Sequence, residues 1–128
     1  MILKRKGLLL LTLAGLLASC TPSDNRVHIT VNPEQLQGCW VKSGTQEYWR
    51  YRDDSTGVTW DESEDMTEEE SNLTFTWEVN RDVLTHIFRG VMDNQAVPKV
   101  YTITEITPQS MKWEDDYGIT CTLNKTDR

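Results

Sequence analysis

Short apolar runs alternate with polar turns from Gly38 to the end of the chain. Within most runs every second residue is apolar, which is the period of a β-strand with one buried face. No window in this region keeps the 3.6-residue period of an amphipathic helix. The pattern predicts eight strands, at residues 39–43, 47–52, 57–61, 73–79, 83–88, 99–106, 111–114 and 119–125.

Turn-forming residues separate several of these runs, at residues 53–57, 80–82, 107–109 and 116–118. Strands joined by such short turns pair antiparallel, so the chain forms a meander. Eight strands in a meander remove their exposed edges by closing on themselves. We therefore expect an all-β domain, a small antiparallel up-and-down eight-stranded barrel, at residues 36–126.

The period of two also sorts side chains between the two faces of each strand. Apolar positions that share a face are expected to point into the barrel, and their alternating neighbours toward solvent. The expected inward residues are Trp49, Tyr51, Phe75, Trp77, Val79, Tyr101, Ile103, Met111, Trp113, Ile119, Cys121 and Leu123.

Residues 1–19 carry a different pattern, three basic residues at positions 4–6 followed by an apolar run over residues 8–17. This is the plan of a secretory signal peptide, and the run is too short for a transmembrane helix, which needs about 20 apolar residues. The four residues from Leu17 to Cys20 resemble the lipobox of bacterial lipoproteins. That resemblance implies cleavage before Cys20 and a lipid on its sulfur; the alternative is a soluble secreted protein with an unmodified Cys20.

By the sorting rule of that lipoprotein family, Thr21 in place of Asp favours the outer membrane, with the side left open. Residues 20–35 are then a lipidated tether. The alternation of Val27, Ile29 and Val31 leaves room for an added edge strand. Asn32 followed by Pro33 predicts a cap and the first position of a single helical turn.

Removal of the signal leaves 109 of the 128 residues, enough for one domain with a modest core. The signal holds three of the 13 basic residues, so 10 remain against 20 acidic ones, a formal charge of −10. Such a charge argues against nucleic acid as a partner, and against electrostatic attachment to anionic lipid. Anchoring is therefore expected from the lipid on Cys20.

Several short motifs in the barrel region resemble a known family. They are Gly38-Cys39-Trp40, Trp49-Arg50-Tyr51, Asp54-Ser55-Thr56-Gly57, Phe75-Thr76-Trp77, Leu84-Thr85, Tyr101-Thr102-Ile103 and Ser110-Met111. Their order and spacing are similar to the lipocalin-like domains of many Bacteroidetes lipoproteins, over residues 36–125. The resemblance implies a small barrel or cup with Trp40 at its closed end and an opening for a small ligand, and it implies no enzyme. This chain departs from the family at Ser55, where glycine is usual, and in its acidic loop.

Aromatic residues are the candidate walls of a pocket for an apolar or amphipathic ligand, because they supply large apolar surfaces. The alternative is that the same rings fill the barrel, whose eight-stranded interior is just wide enough for side chains or one small ligand. Trp40 and Trp77 are expected in packing. The candidate pocket residues are Trp49, Tyr51, Trp60, Phe75, Tyr101 and Trp113.

Seven carboxylates lie within the ten residues 61–70. They could bind Ca²⁺, but the spacing does not fit an EF-hand, because Met66 and Asn72 occupy the positions of the required Gly and Glu. A solvated, mobile loop that overhangs the opening is the expectation, with a divalent cation or a protein partner as alternatives.

The remaining polar residues indicate no catalytic site. His28 and His86 have no ligand or triad partner at a suitable spacing, and both are expected on the surface of a strand. No nucleophile motif and no metal-binding Cys/His pattern is present, so no cofactor, no metal and no enzymatic activity are expected.

The sequence leaves two modifications open. Cys39 and Cys121 form a disulfide if their strands and faces match, with free buried thiols as the alternative. Ser55 and Thr56, after Asp54, resemble an O-glycosylation site of Bacteroidetes on an exposed turn.

Overall fold

The computed structural model describes residues 27–89 and 96–128. They form one closed, fully antiparallel barrel of eight strands, each paired with its neighbours in the chain and the last paired with the first. The predicted fold class is thus confirmed. The strands are β1 Gly38–Lys42, β2 Glu47–Tyr51, β3 Thr56–Asp61, β4 Thr74–Asn80, β5 Val83–Arg89, β6 Ala96–Ile106, β7 Ser110–Glu114 and β8 Thr120–Thr126.

A single helical turn, α1, covers Pro33–Leu36 as predicted, with the Asn32 backbone N–H donating to the Gln35 side chain at 2.8 Å. Residues 27–32 before it form no strand, so the added edge strand is absent from this segment. Instead the Val31 N–H donates to the carbonyl of Arg81 at 2.8 Å, and Val31 packs into the barrel core. The predicted signal peptide and Cys20 lie outside the described residues.

The up-and-down topology gives the barrel two distinct ends. The turns after β2, β4 and β6 lie at one end, together with α1, and we call this the closed end. Trp40 is fully buried there, its indole N–H donates to the Leu36 carbonyl at 2.8 Å, and the Lys125 ammonium lies 4.4 Å from its ring. The opposite end, where β1, β3, β5 and β7 finish, is the mouth of the barrel.

The predicted inward face is correct for nearly every residue assigned to it. Ile119 is the exception: it is 62% exposed and lies in the turn before β8, because that strand begins at Thr120. The interior cluster, with Val31 and Leu36 from outside the sheet, consists of Val31, Leu36, Trp40, Trp49, Tyr51, Phe75, Trp77, Leu84, Ile103, Met111, Trp113 and Leu123.

Ser55 adopts a left-handed backbone conformation, with φ of 69°, in the turn between β2 and β3. Only glycine takes this conformation without steric cost, which gives a physical reason for the glycine usual in the resembled family. Asp54 stabilises the turn, since its carboxylate accepts from the backbone N–H of Thr56 at 3.0 Å and from its hydroxyl at 2.6 Å. Of the two predicted glycosylation residues, Ser55 is therefore the one whose hydroxyl is not engaged by Asp54.

The two cysteines of the domain are free thiols, so the disulfide left open by the sequence does not form. Cys39 belongs to a small cluster on the outer wall, whereas Cys121 is paired with Trp113 and faces the interior. The β1–β8 register also separates them, because Cys39 is opposite Thr126 rather than Cys121. Five residues of β-strand span about 16 Å, well beyond the ~7 Å between Cα atoms that a disulfide tolerates.

No helix in the described ranges 27–89 and 96–128 is long and apolar enough to cross a membrane.

Candidate ligand site at the mouth of the barrel

A cavity of about 420 Å³ opens at the mouth, between the ends of β2, β3 and β5 and the loop that follows β3. We call it the rim cavity. Aromatic and aliphatic side chains and several carboxylates line it. The lining residues are Glu47, Trp49, Thr59, Trp60, Asp61, Glu64, Met66, Ser71, Asn72, Leu73 and Phe88.

A smaller cavity of about 190 Å³ opens on the other side of Trp49. We call it the inner cavity. Trp49 and Glu47 line both spaces, so the Trp49 ring, which is only 8% exposed, stands between them. The residues that line the inner cavity are Lys42, Glu47, Trp49, Tyr101, Trp113, Asp115, Ile119, Thr120 and Cys121.

A histidine lies at the centre of the aromatic interior, below both cavities. His86 is completely buried in β5, and its Nε2 lies 2.8 Å from the hydroxyl oxygen of Tyr51. Aromatic rings surround its imidazole at centroid distances of 4.6 to 6.1 Å. They belong to Trp49, Tyr51, Phe75, Phe88, Tyr101 and Trp113.

The expected surface position of His86 is wrong, and the reason lies in the period of β5. Leu84 is buried, and Phe88 packs against the same interior cluster, so the residue between them at the same period of two also faces inward. Its register partner on β4 is Trp77, another interior residue. The alternation of Leu84, His86 and Phe88 in the sequence was therefore enough to predict that His86 faces the interior.

His28, the other histidine, lies before α1 rather than on a strand. Its Nδ1 is 2.6 Å from a carboxylate oxygen of Asp82, in the turn between β4 and β5 at the closed end. The Asp82 carbonyl accepts from the Ile103 N–H at 2.7 Å, so this turn is itself fixed to β6. His28 therefore belongs to the contacts between the tether and the barrel.

Burial keeps the polar groups of the interior uncharged. It lowers the pKa of His86 to about 3 and raises the pKa of Tyr51 well above its usual value. At the mouth, burial also raises the pKa of Tyr101 to about 12, with smaller contributions from Asp115 and Glu47. At neutral pH the interior therefore presents hydroxyl and imidazole groups but no charge.

The acidic loop borders the opening, where Asp61, Glu64 and Met66 line the rim cavity, and it is also held against the outer wall. Its Met66 packs on the outer wall against Val58 and Trp60, and Glu68 accepts from the Arg50 guanidinium at 2.6 Å on the same wall. Several of its carboxylates are engaged rather than solvated. Asp61 accepts from Ser63, Glu62 from Trp60 and Arg128, Glu68 from Arg50, and Glu70 from Thr67.

The six predicted pocket residues occupy three levels. Trp49 and Trp60 meet at the rim cavity, although Trp60 otherwise belongs to the outer wall, where it stacks on Tyr48 at 5.2 Å. Tyr101 and Trp113 line the inner cavity with Trp49. Tyr51 and Phe75 are deeper, around His86, and line neither cavity.

No cluster of three or more His, Cys, Asp or Glu side chains suited to a metal ion occurs within the described part of the chain.

The barrel topology, the closed end filled by Trp40 and the open mouth agree with a comparison against protein families, in which the lipocalin-like domain matches residues 24–113. The chain belongs to the lipocalin-like domain family. Curated proteins and solved structures give no match. A barrel of this kind suggests ligand binding in general, since eight strands leave room inside for side chains or for one small ligand.

Proposed function

We propose that this protein is a lipid-anchored lipocalin-like lipoprotein of the bacterial cell envelope that binds a small apolar or amphipathic molecule at the mouth of its barrel. The rim cavity is the observation that carries the proposal. At about 420 Å³ it lies within the range of ~300–1,000 Å³ usual for ligand pockets, and Trp49, Trp60, Phe88 and Leu73 give it apolar walls.

The interior restricts the ligand to the upper part of the barrel. Below the His86 level the core side chains are fully buried, among them Leu84, Ile103 and Leu123, and Trp40 fills the closed end. A ligand that stays at the mouth displaces none of these side chains. The binding step needs no chemistry from the protein, and the proposed role is non-enzymatic.

The location is proposed from the N-terminal sequence. The signal-like residues 1–19 and the lipobox ending at Cys20 support export, lipidation and an outer-membrane address, and the family motifs support an origin in Bacteroidetes. Two or three acyl chains hold a protein on a membrane stably, whereas one binds only marginally. The acidic chain itself gives no electrostatic attraction to anionic lipid.

Fluorescence titration with the uncharged probe N-phenyl-1-naphthylamine tests the binding proposal. The Cys20→Ser substitution removes the lipid acceptor, and the full chain that carries it is the parent chain. It is compared with a second chain that carries Leu73→Asp in addition. Leu73 lines the rim cavity and is 54% exposed, so the substitution places a charge at the site with little effect on folding. We expect at least a tenfold loss of probe affinity, because the bound probe would cover the new carboxylate, and burial of a carboxylate without a partner is costly.

Val100→Asp is the matched control. Val100 is also exposed and apolar, but it pairs with Thr85 and lines neither the rim cavity nor the inner cavity. Probe binding should survive this change. Absence of probe binding to the parent chain, or equal losses in the two variants, contradicts a ligand site at the mouth.

A second candidate is an interaction protein with a solid barrel, whose outer surface binds a protein or a divalent cation. The complete burial of the lower interior favours this alternative. Native mass spectrometry of the protein purified from its own envelope fraction separates the two. An added mass that denaturation removes supports carriage of a ligand, whereas a bare chain favours the solid barrel. A cation ligand predicts higher thermal stability in Ca²⁺ that is lost when Glu68, Glu69 and Glu70 become Gln.

A further inference from the structure

The Tyr51–His86 pair contains more protons than its single hydrogen bond can use. A neutral imidazole carries one N–H and a phenol one O–H, so two protons are available for the 2.8 Å contact between Tyr51 Oη and His86 Nε2. The other imidazole nitrogen, Nδ1, is buried and has no hydrogen-bond partner in the described part of the chain. At least one polar group of the pair is therefore without a hydrogen-bond partner inside the barrel.

The position of the second proton follows from counting. If the Tyr51 hydroxyl donates to Nε2, the imidazole proton is on Nδ1 and one donor is unpaired. If Nε2–H donates to the hydroxyl oxygen, both the Tyr51 O–H and the Nδ1 lone pair are unpaired. Because each buried unpaired group costs about 1–3 kcal/mol, the first arrangement is favoured. His86 Nδ1 is then a hydrogen-bond donor.

The imidazole that carries this donor lies one layer of rings below the inner cavity. The rings of Trp49, Tyr101 and Trp113 line that cavity, and their centroids lie 5.1, 5.0 and 5.8 Å from the imidazole. Tyr101 is half-buried and stacks on Trp113 at 4.5 Å, and its hydroxyl makes no hydrogen bond within the described residues. Rotation of Tyr101 therefore breaks ring contacts but no hydrogen bond.

We propose that the ligand presents an uncharged hydrogen-bond acceptor, a carbonyl oxygen, to His86 Nδ1–H by passing between Tyr101 and Trp113. This inference rests on the proposed function and specifies the ligand class. A carboxylate is disfavoured because the surroundings of His86 are aromatic and neutral, and a buried charge needs a charged partner. Lys99 is the register partner of His86, but its side chain is exposed and leaves no cation at this depth.

Two molecules of the same shape test the proposal. Acetophenone has a carbonyl oxygen where α-methylstyrene has a methylene group. Calorimetric titration of the Cys20→Ser chain gives the ratio of their affinities, and the same ratio is measured with His86→Phe added. We expect the preference for acetophenone to fall about fivefold in the variant, the equivalent of one hydrogen bond of ~1 kcal/mol. The comparison of ratios removes the difference in hydrophobicity between the two molecules.

The Tyr51→Phe, His86→Phe double variant guards against misfolding, because it removes both partners and leaves no orphaned hydroxyl. NMR gives an independent measurement: the His86 Nδ1–H resonance should shift downfield with acetophenone and not with α-methylstyrene. An unchanged affinity ratio in the variants, or benzoate binding more tightly than acetophenone, overturns the proposal. If neither neutral molecule binds a parent chain that still binds N-phenyl-1-naphthylamine, this proposal is overturned. If the naphthylamine does not bind either, the proposed function itself fails, so the two failures are distinguishable.

Discussion

At the residue scale, His86 shows how a polar side chain can occupy the centre of an aromatic interior. Histidine is of intermediate burial in proteins generally, so its identity alone does not place it inside or outside. Leu84 and Phe88, two positions before and after it, place it on the inner face of β5. Its hydrogen-bond partner Tyr51 belongs to β2. The sequence could therefore have predicted the face of His86, but not its partner, which depends on the register of the closed barrel.

The depressed pKa of His86 predicts that the protein loses stability in mild acid. The unfolded chain binds a proton near pH 6.5, whereas folded His86 binds one only near pH 3. Between these values the unfolded state holds more protons, so the free energy of unfolding falls as the pH falls. The expected loss is about 2 kcal/mol between pH 7 and pH 5, at ~1.4 kcal/mol for each pH unit below 6.5.

Urea unfolding at pH 7, 6 and 5 measures this loss, with the Tyr51→Phe, His86→Phe variant as the control. That variant should show a nearly flat dependence in this interval. Hydrogen bonds lower the pKa values of the carboxyl groups of Asp54, Asp61 and Glu62. Protonation of these groups also destabilises the folded protein, but only below their ordinary pKa values near 4, outside this interval. Parallel pH profiles for the two chains contradict a buried neutral His86.

At the scale of single elements, the strands were predictable and the long loop was not. Alternation and turn residues locate all eight strands to within three residues at either end. The loop after β3 has no periodicity, and its position depends on contacts that no local pattern contains: Met66 on Trp60, and Glu68 on Arg50. The same limit applies to the cysteines, whose faces and register follow only from the pairing of β1 with β8.

Glu68→Gln is expected to loosen this loop with only a small effect on the barrel. Arg50 and Glu68 are each about one-fifth exposed, and the pair is 2.6 Å apart, so we expect a loss of about 0.5–1 kcal/mol that shrinks at high salt. Limited proteolysis should show faster cleavage between residues 62 and 73. The neighbouring Glu69→Gln removes the same charge without removing this ion pair, and equal cleavage rates in the two variants contradict a role for Glu68 in holding the loop.

At the scale of the whole molecule, the closure of the barrel makes the first and last strands parts of one core. The sequence predicted closure because eight short antiparallel strands otherwise leave two exposed edges. It could not decide between a cavity and packing for the aromatic residues, since both use the same inward face. Among the described residues the barrel contains both: packed rings around His86 and below, and the rim and inner cavities toward the mouth.

Because β8 closes the barrel against β1, damage to its core should unfold the entire domain. Leu123 is fully buried in β8, opposite Met111 on one side and Lys42 on the other. Leu123→Ala should lower the free energy of unfolding by about 2–5 kcal/mol, through lost burial and the cavity left behind. Tryptophan fluorescence and far-ultraviolet circular dichroism should report the same shifted midpoint, since four tryptophans lie at different heights in the same interior cluster.

Leu73→Ala, at an exposed position of the mouth, is the control and should change the free energy of unfolding by less than about 0.5 kcal/mol. Separate midpoints for the two signals mean that the seam between β1 and β8 opens before the rest, and the domain is then not a single cooperative barrel.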